Sequence, residues 1–240
     1  MRLNESQKSD YFRRGYLLLK RAIPEQSLDI LETQFLSLVK DWGGREFTSA
    51  QSPELAEFLL ANRELERKLY EGIRQFPWLE EFSLQPEITN PIKEILGEEL
   101  GLMSKIPFRI DLPGVTRELA VWHQDYKYVL GNEEIVTAYI TLQDTPYIRG
   151  CLMVMPESHK LGAFHHDTQV LGKRHFPSNI FNREVRYVEM ERGDLLLFNA
   201  LLLHSLGLNL SSTCMLTVQS RYSRLNAPTD PSMGQVIEIN

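Results

Sequence analysis

Residues 118–125 read ELAVWHQD and residues 193–204 read GDLLLFNALLLH, and the fold turns on how these two stretches are read. In the first, His123 and Asp125 stand two apart at the end of a strand-like run. Side chains i and i+2 of a strand point the same way, roughly 6–7 Å apart, so both can lean onto one ion. In the second, a Gly193-Asp194 turn leads into an apolar strand and then to His204. Two imidazoles and one carboxylate on one face of a metal, with the other face open, suit non-haem iron(II) and its reactions with oxygen. Zinc accepts the same ligands. Only a sheet that returns on itself can unite residues so far apart in the chain.

The surroundings agree with such a sheet. After Leu100 the chain breaks into short β-rich runs: Met103 to Leu112, Glu118 to His123, Ile135 to Leu142, Cys151 to Met155, Arg186 to Met190, Leu195 to Asn199 and Cys214 to Tyr222. Many short strands with turns between them predict a sandwich or barrel. Residues 1–100 read as mostly helical. Glu5 to Arg14 is a polar helix and Tyr16 to Lys20 a short strand. From Pro24, apolar residues recur at three- and four-residue steps (Leu28, Leu31, Phe35, Leu38, Trp42) until Gly43-Gly44. Ser52 caps a further helix, with a break near Asn62, and Pro86 to Leu96 is another. With no repeat and no linker, residues 1–240 are expected to form one domain, mainly β with flanking helices packed on the barrel.

The bulk numbers narrow the function. Hydrophobic residues at 42% and charged residues at 24% are ordinary for a soluble globular chain. A net charge of −6 argues against a nucleic-acid partner, which would want a basic face. The polar start, Met1 to Asp10, has no signal-peptide pattern, and no run approaches the ~20 apolar residues of a spanning helix. Cys151 and Cys214 lie in apolar runs and read as buried free thiols. The expectation is a cytoplasmic protein with no membrane partner. His165-His166-Asp167 repeats the His-x-Asp spacing, but in a polar, turn-like stretch that does not suggest a metal site. His159 and His175 read as loop residues.

Set in order, these pieces resemble the phytanoyl-CoA dioxygenase (PhyH-like) family of iron(II)/2-oxoglutarate oxygenases. Phe12 to Leu18 is similar to the family's opening F-x-x-x-G-Y strand, one residue shorter here. Trp122-His123-Gln124-Asp125 is similar to its W-H-Q-D motif. Gly150 to Lys160 resembles G-x-L-x-V-x-P-G-S-H-K, with Glu157 where glycine is usual. Gly193 to Phe198 resembles G-D-L-L-x-F, and His204 with Gly207, Asn209 and Ser211 resembles H-x-S-G-x-N-x-S. The resemblance implies a double-stranded β-helix, a jelly-roll of the cupin type. It implies iron held by His123, Asp125 and His204, which would make these three the catalytic centre. It also implies 2-oxoglutarate as cosubstrate, molecular oxygen as co-reactant, and hydroxylation of a C–H bond in a small-molecule substrate.

Two positions depart from that pattern. The family places an arginine about eleven residues after the distal histidine, where its planar fork grips the far carboxylate of 2-oxoglutarate. Here that position is Met215, and the small polar residue two after the histidine is Leu206. A lost charge-assisted bond is worth ~1.5–3 kcal/mol. Substitute cations are sought in Arg109, Lys105 and Arg149, with Arg109 favoured because it precedes Ile110 to Pro113 in the barrel region, and Tyr139 could add a hydroxyl donor. Arg221 shares a strand and a face with Met215, but six residues of strand is ~20 Å, too far for a simple replacement. Two alternatives stay open: an iron oxygenase that does not use 2-oxoglutarate, and a ligand-binding barrel without catalysis.

Overall fold

The structure, a computed structural model, describes residues 2–115, 122–128, 132–164, 180–227 and 236–239. The polar helix α1 (Glu5–Arg14) starts in a capping box between Asn4 and Gln7 and ends at Gly15, whose φ of 83° is left-handed. β1 (Tyr16–Leu19) follows at once. α2 (Glu25–Gly43) buries Leu28, Leu31, Phe35, Leu38 and Val39, the stripe that the spacing predicts. Ser52 accepts from the Leu55 amide to cap α3 (Pro53–Ala61), and the chain breaks at Asn62 before α4 (Arg63–Gly72). α5 (Pro77–Ser83) and α6 (Pro86–Leu96) complete the helical part.

The strands are β2 (Leu100–Met103), β3 (Phe108–Asp111), β4 (Val136–Thr141), β5 (Leu152–Val154), β6 (Arg186–Val188), β7 (Leu195–Asn199), β8 (His204–Leu206), β9 (Met215–Arg224) and β10 (Val236–Ile239). They form two antiparallel sheets. The larger runs β1-β7-β4-β9-β2-β10, with β3 also pairing β9, and the smaller runs β6-β5-β8. The expected strand Met103 to Leu112 is in fact two strands. Pro107 has no amide N–H to give a ladder, and the run breaks around it. Residues 118–121 of the expected strand before His123 lie outside the described residues.

Alternation along each strand sorts the core into two layers. Phe108, Ile110, Val136, Ala138, Ile140, Leu195, Leu197, Leu216 and Val218 face the helices and share one apolar cluster with Phe35, Leu59, Phe82 and Ile92. Phe35 stacks on Phe108 at 5.6 Å between ring centres. Ser83 on α5 bonds Ser220 on β9 at 2.7 Å, and the Tyr222 hydroxyl donates to the Ser83 carbonyl at 2.6 Å. The opposite faces meet between the sheets: Tyr139, Leu196, Phe198 and Met215 from the large sheet pack with Leu152, Val154, Val188 and Leu206 from the small one. The result is the expected jelly-roll with helices on one outer face. No helix among the described residues is long and apolar enough to cross a membrane. Both cysteines are free and buried, and burial pushes the Cys151 thiol up to about 11 and the Cys214 thiol up to about 12.

Candidate metal centre

The Gly193-Asp194 turn starts the strand that leads to the distal histidine. Gly193 takes a φ of 90°, and the buried Asp194 accepts from the amides of Arg21 and Glu191 and from Lys20 Nζ at 2.8–3.0 Å. That carboxylate is structural. Beyond β7 the chain crosses to the small sheet, where His204 opens β8 directly opposite His123. Their backbones exchange both hydrogen bonds, at 2.9 and 3.0 Å. Directly opposed residues of an antiparallel pair share a face, and the two imidazole centres lie 4.2 Å apart.

Asp125 follows in a short helical turn whose Tyr126 amide bonds the Ala200 carbonyl. Asp125 Oδ1 lies 3.8 Å from His123 Nε2 and 3.7 Å from His204 Nε2. One donor atom from each residue falls within 4.8 Å of the others, and among the described residues this is the one such group of three. Octahedral bonds of ~2.1 Å place neighbouring ligand atoms ~3 Å apart, so a small contraction would seat an ion. The second ring nitrogen of His204 lies 2.9 Å from the Leu202 carbonyl, which can only accept. Nδ1 therefore carries the proton, and Nε2 presents its lone pair to the site. Burial alone would raise the Asp125 pKa, but Arg221, His204 and His123 outweigh it and hold the carboxyl well below the usual range. All three side chains are buried, and the set suits iron(II).

Sequence reasoning did not foresee the neighbours of the triad. Gln124, between the two ligands, donates to the carbonyls of Gly162 and Leu201 and accepts from the Phe164 amide, so it stitches three segments behind the site. Thr137 Oγ1 and Arg221 Nε both donate to Asp125 Oδ2, at 2.8 and 3.1 Å. Arg221 is indeed remote from Met215 along β9, and its place is beside Asp125. Trp122 and Tyr126, which flank the motif, pack in two small clusters, with Met155 and Leu203 and with Met103 and Ile135 respectively.

The candidate anchors separate clearly. Arg109 is buried on β3, opposite Thr217 and two pairs along from the Asp111–Met215 pair. Its side chain thus faces inward beside Met215, on the neighbouring strand. Asp111 accepts from Arg109 Nε and Nη2 at 3.2 and 2.7 Å. Tyr139 lines the cavity next to the triad. Burial first, then the Asp111 charge, pushes its phenol above the usual range. Among the described residues the buried Thr141 hydroxyl has no hydrogen-bond partner, and the buried hydroxyls of Tyr139 and Thr217 have none but each other. Lys105 does not share a strand with Arg109. It lies exposed on the segment joining β2 and β3, because the run is broken there. Arg149 bonds Gln51 and the Asp144 carbonyl in an outer cleft, away from the barrel interior. Leu206 and Met215 are both buried in the apolar layer between the sheets. Leu206 walls two small cavities, one of about 20 Å³ against the triad and one of about 10 Å³ beside Arg109. The second His-x-Asp, His165-His166-Asp167, and His175 lie outside the described residues, as does most of the polar segment 161–186.

Comparison with known proteins agrees with this geometry. The sequence profile described as phytanoyl-CoA dioxygenase (PhyH) matches residues 11–214. A probable phytanoyl-CoA dioxygenase of Caenorhabditis elegans is 24% identical over 228 residues, covering 86% of this chain and 71% of the relative. Among solved structures, the non-haem α-ketoglutarate-dependent carbocyclase SnoK from nogalamycin biosynthesis superposes with a TM-score of 0.69 at 22% identity, over 95% of this chain and 87% of its own. The epimerase SnoN, in complex with Fe3+, α-ketoglutarate and nogalamycin RO, gives 0.63 at 17% identity, over 96% and 87%. The chain therefore belongs to the phytanoyl-CoA dioxygenase family of non-haem iron(II)/2-oxoglutarate enzymes, and its His123, Asp125 and His204 fit the iron such an enzyme carries.

Proposed function

We propose that the protein is an iron(II)- and 2-oxoglutarate-dependent oxygenase that hydroxylates a C–H bond of a small molecule, with His123, Asp125 and His204 as the metal ligands. The convergence of two imidazole nitrogens and one carboxylate oxygen in a buried pocket carries this reading. When bound, the iron supplies oxygen activation at the expense of the 2-oxo acid. The chain's own part is to hold three ligands in place and leave the other face open. Arg109, with the hydroxyls of Tyr139 and Thr217, is the proposed holder of the far carboxylate of 2-oxoglutarate. It stands in for the arginine that Met215 replaces, one strand over and on the same inner face. Charge balance supports binding of the 2-oxo acid at the iron, independently of which side chain holds its far end. Arg109 and Asp111 cancel, as do Arg221 and Asp125, so iron(II) sets the charge of the described interior and a dianionic 2-oxo acid neutralises it.

The substrate is read as a small molecule and not a nucleic acid, in keeping with the net charge of −6. Two buried free thiols support a cytoplasmic setting. The apolar cluster shared by helices and large sheet supports one domain over residues 1–240. Anaerobic titration tests the central claim: iron(II), then 2-oxoglutarate, is added to the purified protein. A visible charge-transfer band is the expected result. Metal binding without a band at saturating 2-oxoglutarate would refute cosubstrate use. The apolar pair Leu206 and Met215 favours one second reading in that event, an iron oxygenase that draws electrons from its own substrate. Oxygen uptake with substrate and no 2-oxo acid would establish it.

A further inference from the structure

We propose that Thr137 and Arg221 restrict Asp125 to coordination through a single oxygen, and so keep three positions of the metal open. This rests on the triad being a metal site. Thr137 on β4 and Arg221 on β9 are direct cross-strand partners, so their side chains rise from the same face toward the same point. Both donate to Asp125 Oδ2, at 2.8 and 3.1 Å. The other oxygen, Oδ1, is the one that faces both imidazoles, at 3.8 and 3.7 Å. The two oxygens of one carboxylate are therefore given different tasks by the sheet.

A carboxylate can also chelate a cation through both oxygens. Chelation by Asp125 would fill a fourth position of a six-coordinate ion and leave two, too few for a bidentate 2-oxo acid and oxygen together. To chelate, Oδ2 must leave Thr137 and Arg221. Asp125, Thr137 and Arg221 are 2%, 0% and 6% exposed, so water does not take over the broken bonds. Thr137 and Arg221 are positioning residues: they act through Asp125.

The test uses the full chain loaded with Mn(II), whose bound waters are counted by pulsed EPR in 17O-enriched water. Wild type is expected to hold three waters. The Thr137→Val/Arg221→Met double variant is expected to hold two, with Mn(II) affinity kept or raised, because Asp125 gains a second bond to the ion. A purely structural role for the pair would instead lower affinity with the water count unchanged. Thr137→Ser/Arg221→Lys keeps both donors and is expected to keep three waters. Two waters on wild type, or three on the double variant, overturn the proposal. Should the double variant fail to fold, the single variants Thr137→Val and Arg221→Met decide, loss of a water in either being in favour and three waters in both against. A wild type that binds no Mn(II) would instead refute the metal-site reading itself.

Discussion

His123 and His204 are joined through their main chains, not only through a shared ion: each amide donates to the other's carbonyl. Replacing one imidazole should therefore leave the strand pairing intact. His204→Ala is expected to melt within about 1–2 kcal/mol of wild type without metal, the scale of a lost side-chain hydrogen bond. Wild type should gain roughly 2.7 kcal/mol at a metal concentration of about 100 Kd, and the variant none. Thermal melts with and without iron(II) or cobalt(II) check this, and an equal shift in both proteins would remove His204 from the ligand set.

Arg109 should matter to the cosubstrate and not to the metal. Because Arg109→Gln alone removes a cation beside the Asp111 carboxylate, the informative variant is Arg109→Gln with Asp111→Asn. Its 2-oxoglutarate affinity should fall by roughly 10–100-fold, the equivalent of ~1.5–3 kcal/mol. Iron(II) affinity should not change. Tyr139→Phe should weaken 2-oxoglutarate by less than about tenfold, as a neutral donor does. Titration of the metal-loaded proteins reads both, and unaltered 2-oxoglutarate binding in the double variant would exclude Arg109.

Leu206 stands between the cavity at the triad and the one at Arg109. Trimming it to alanine should join them and tighten 2-oxoglutarate binding. The same change removes buried apolar atoms and should cost about 2–4 kcal/mol of stability. Denaturant unfolding beside cosubstrate titration would show the two effects moving in opposite directions.

His159 docks on the end of α1. Its Nε2 lies 3.1 Å from the Phe12 carbonyl, and its buried Nδ1 has no partner among the described residues and faces Gly15, where a Cβ would sit 2.4 Å away. Burial is the main cause lowering its pKa below the ordinary value of 6.5. With the folded pKa the lower one, the unfolded chain takes up the proton first. Stability is full above pH 6.5 and declines as pH falls through the folded value. Melts from pH 8 to pH 5 should show this fall, and His159→Gln should flatten it.

Glu157 occupies a left-handed conformation, φ 64°, at the position where the family resemblance expects glycine. Left-handed backbone costs a side-chain-bearing residue ~1–2 kcal/mol. Glu157→Gly keeps the amide bond to the Arg14 carbonyl and loses only a half-exposed ion pair to Lys160. It should stabilise the protein by about 0.5–1 kcal/mol once the greater freedom of the unfolded chain is allowed for. An unchanged or lower denaturation midpoint would contradict the strain argument.

Much of this architecture is legible in the sequence, because local signals and the global fold agree. The polar run Glu5 to Arg14, the stripe of α2 and the Ser52 cap mark helices within a residue or two. The two histidines and Asp125 stand out by their motif and spacing, although Asp125 reaches the site from a short helical turn and not by strand alternation. What the sequence hides is pairing. Alternation along β9 shows that Arg221 points inward, but only the register Thr137↔Arg221 shows that it points at Asp125. The misreading around Lys105 has a different cause. The apolar alternation continues through Pro107, whose missing donor divides β2 from β3. Between Gly72 and Gln85 the pattern is dense in aromatics and gives no helical period, and α5 is visible only in three dimensions.

β9 touches β4, β3 and β2, yet among the described strands only β10 is made after it. Until residue 224 has left the ribosome, those three strands have no centre to assemble on, and their edges stay open to other chains. Expression yield should then depend on chaperone supply during the closing stages of translation, and truncations that end before β9 should aggregate instead of forming a smaller barrel.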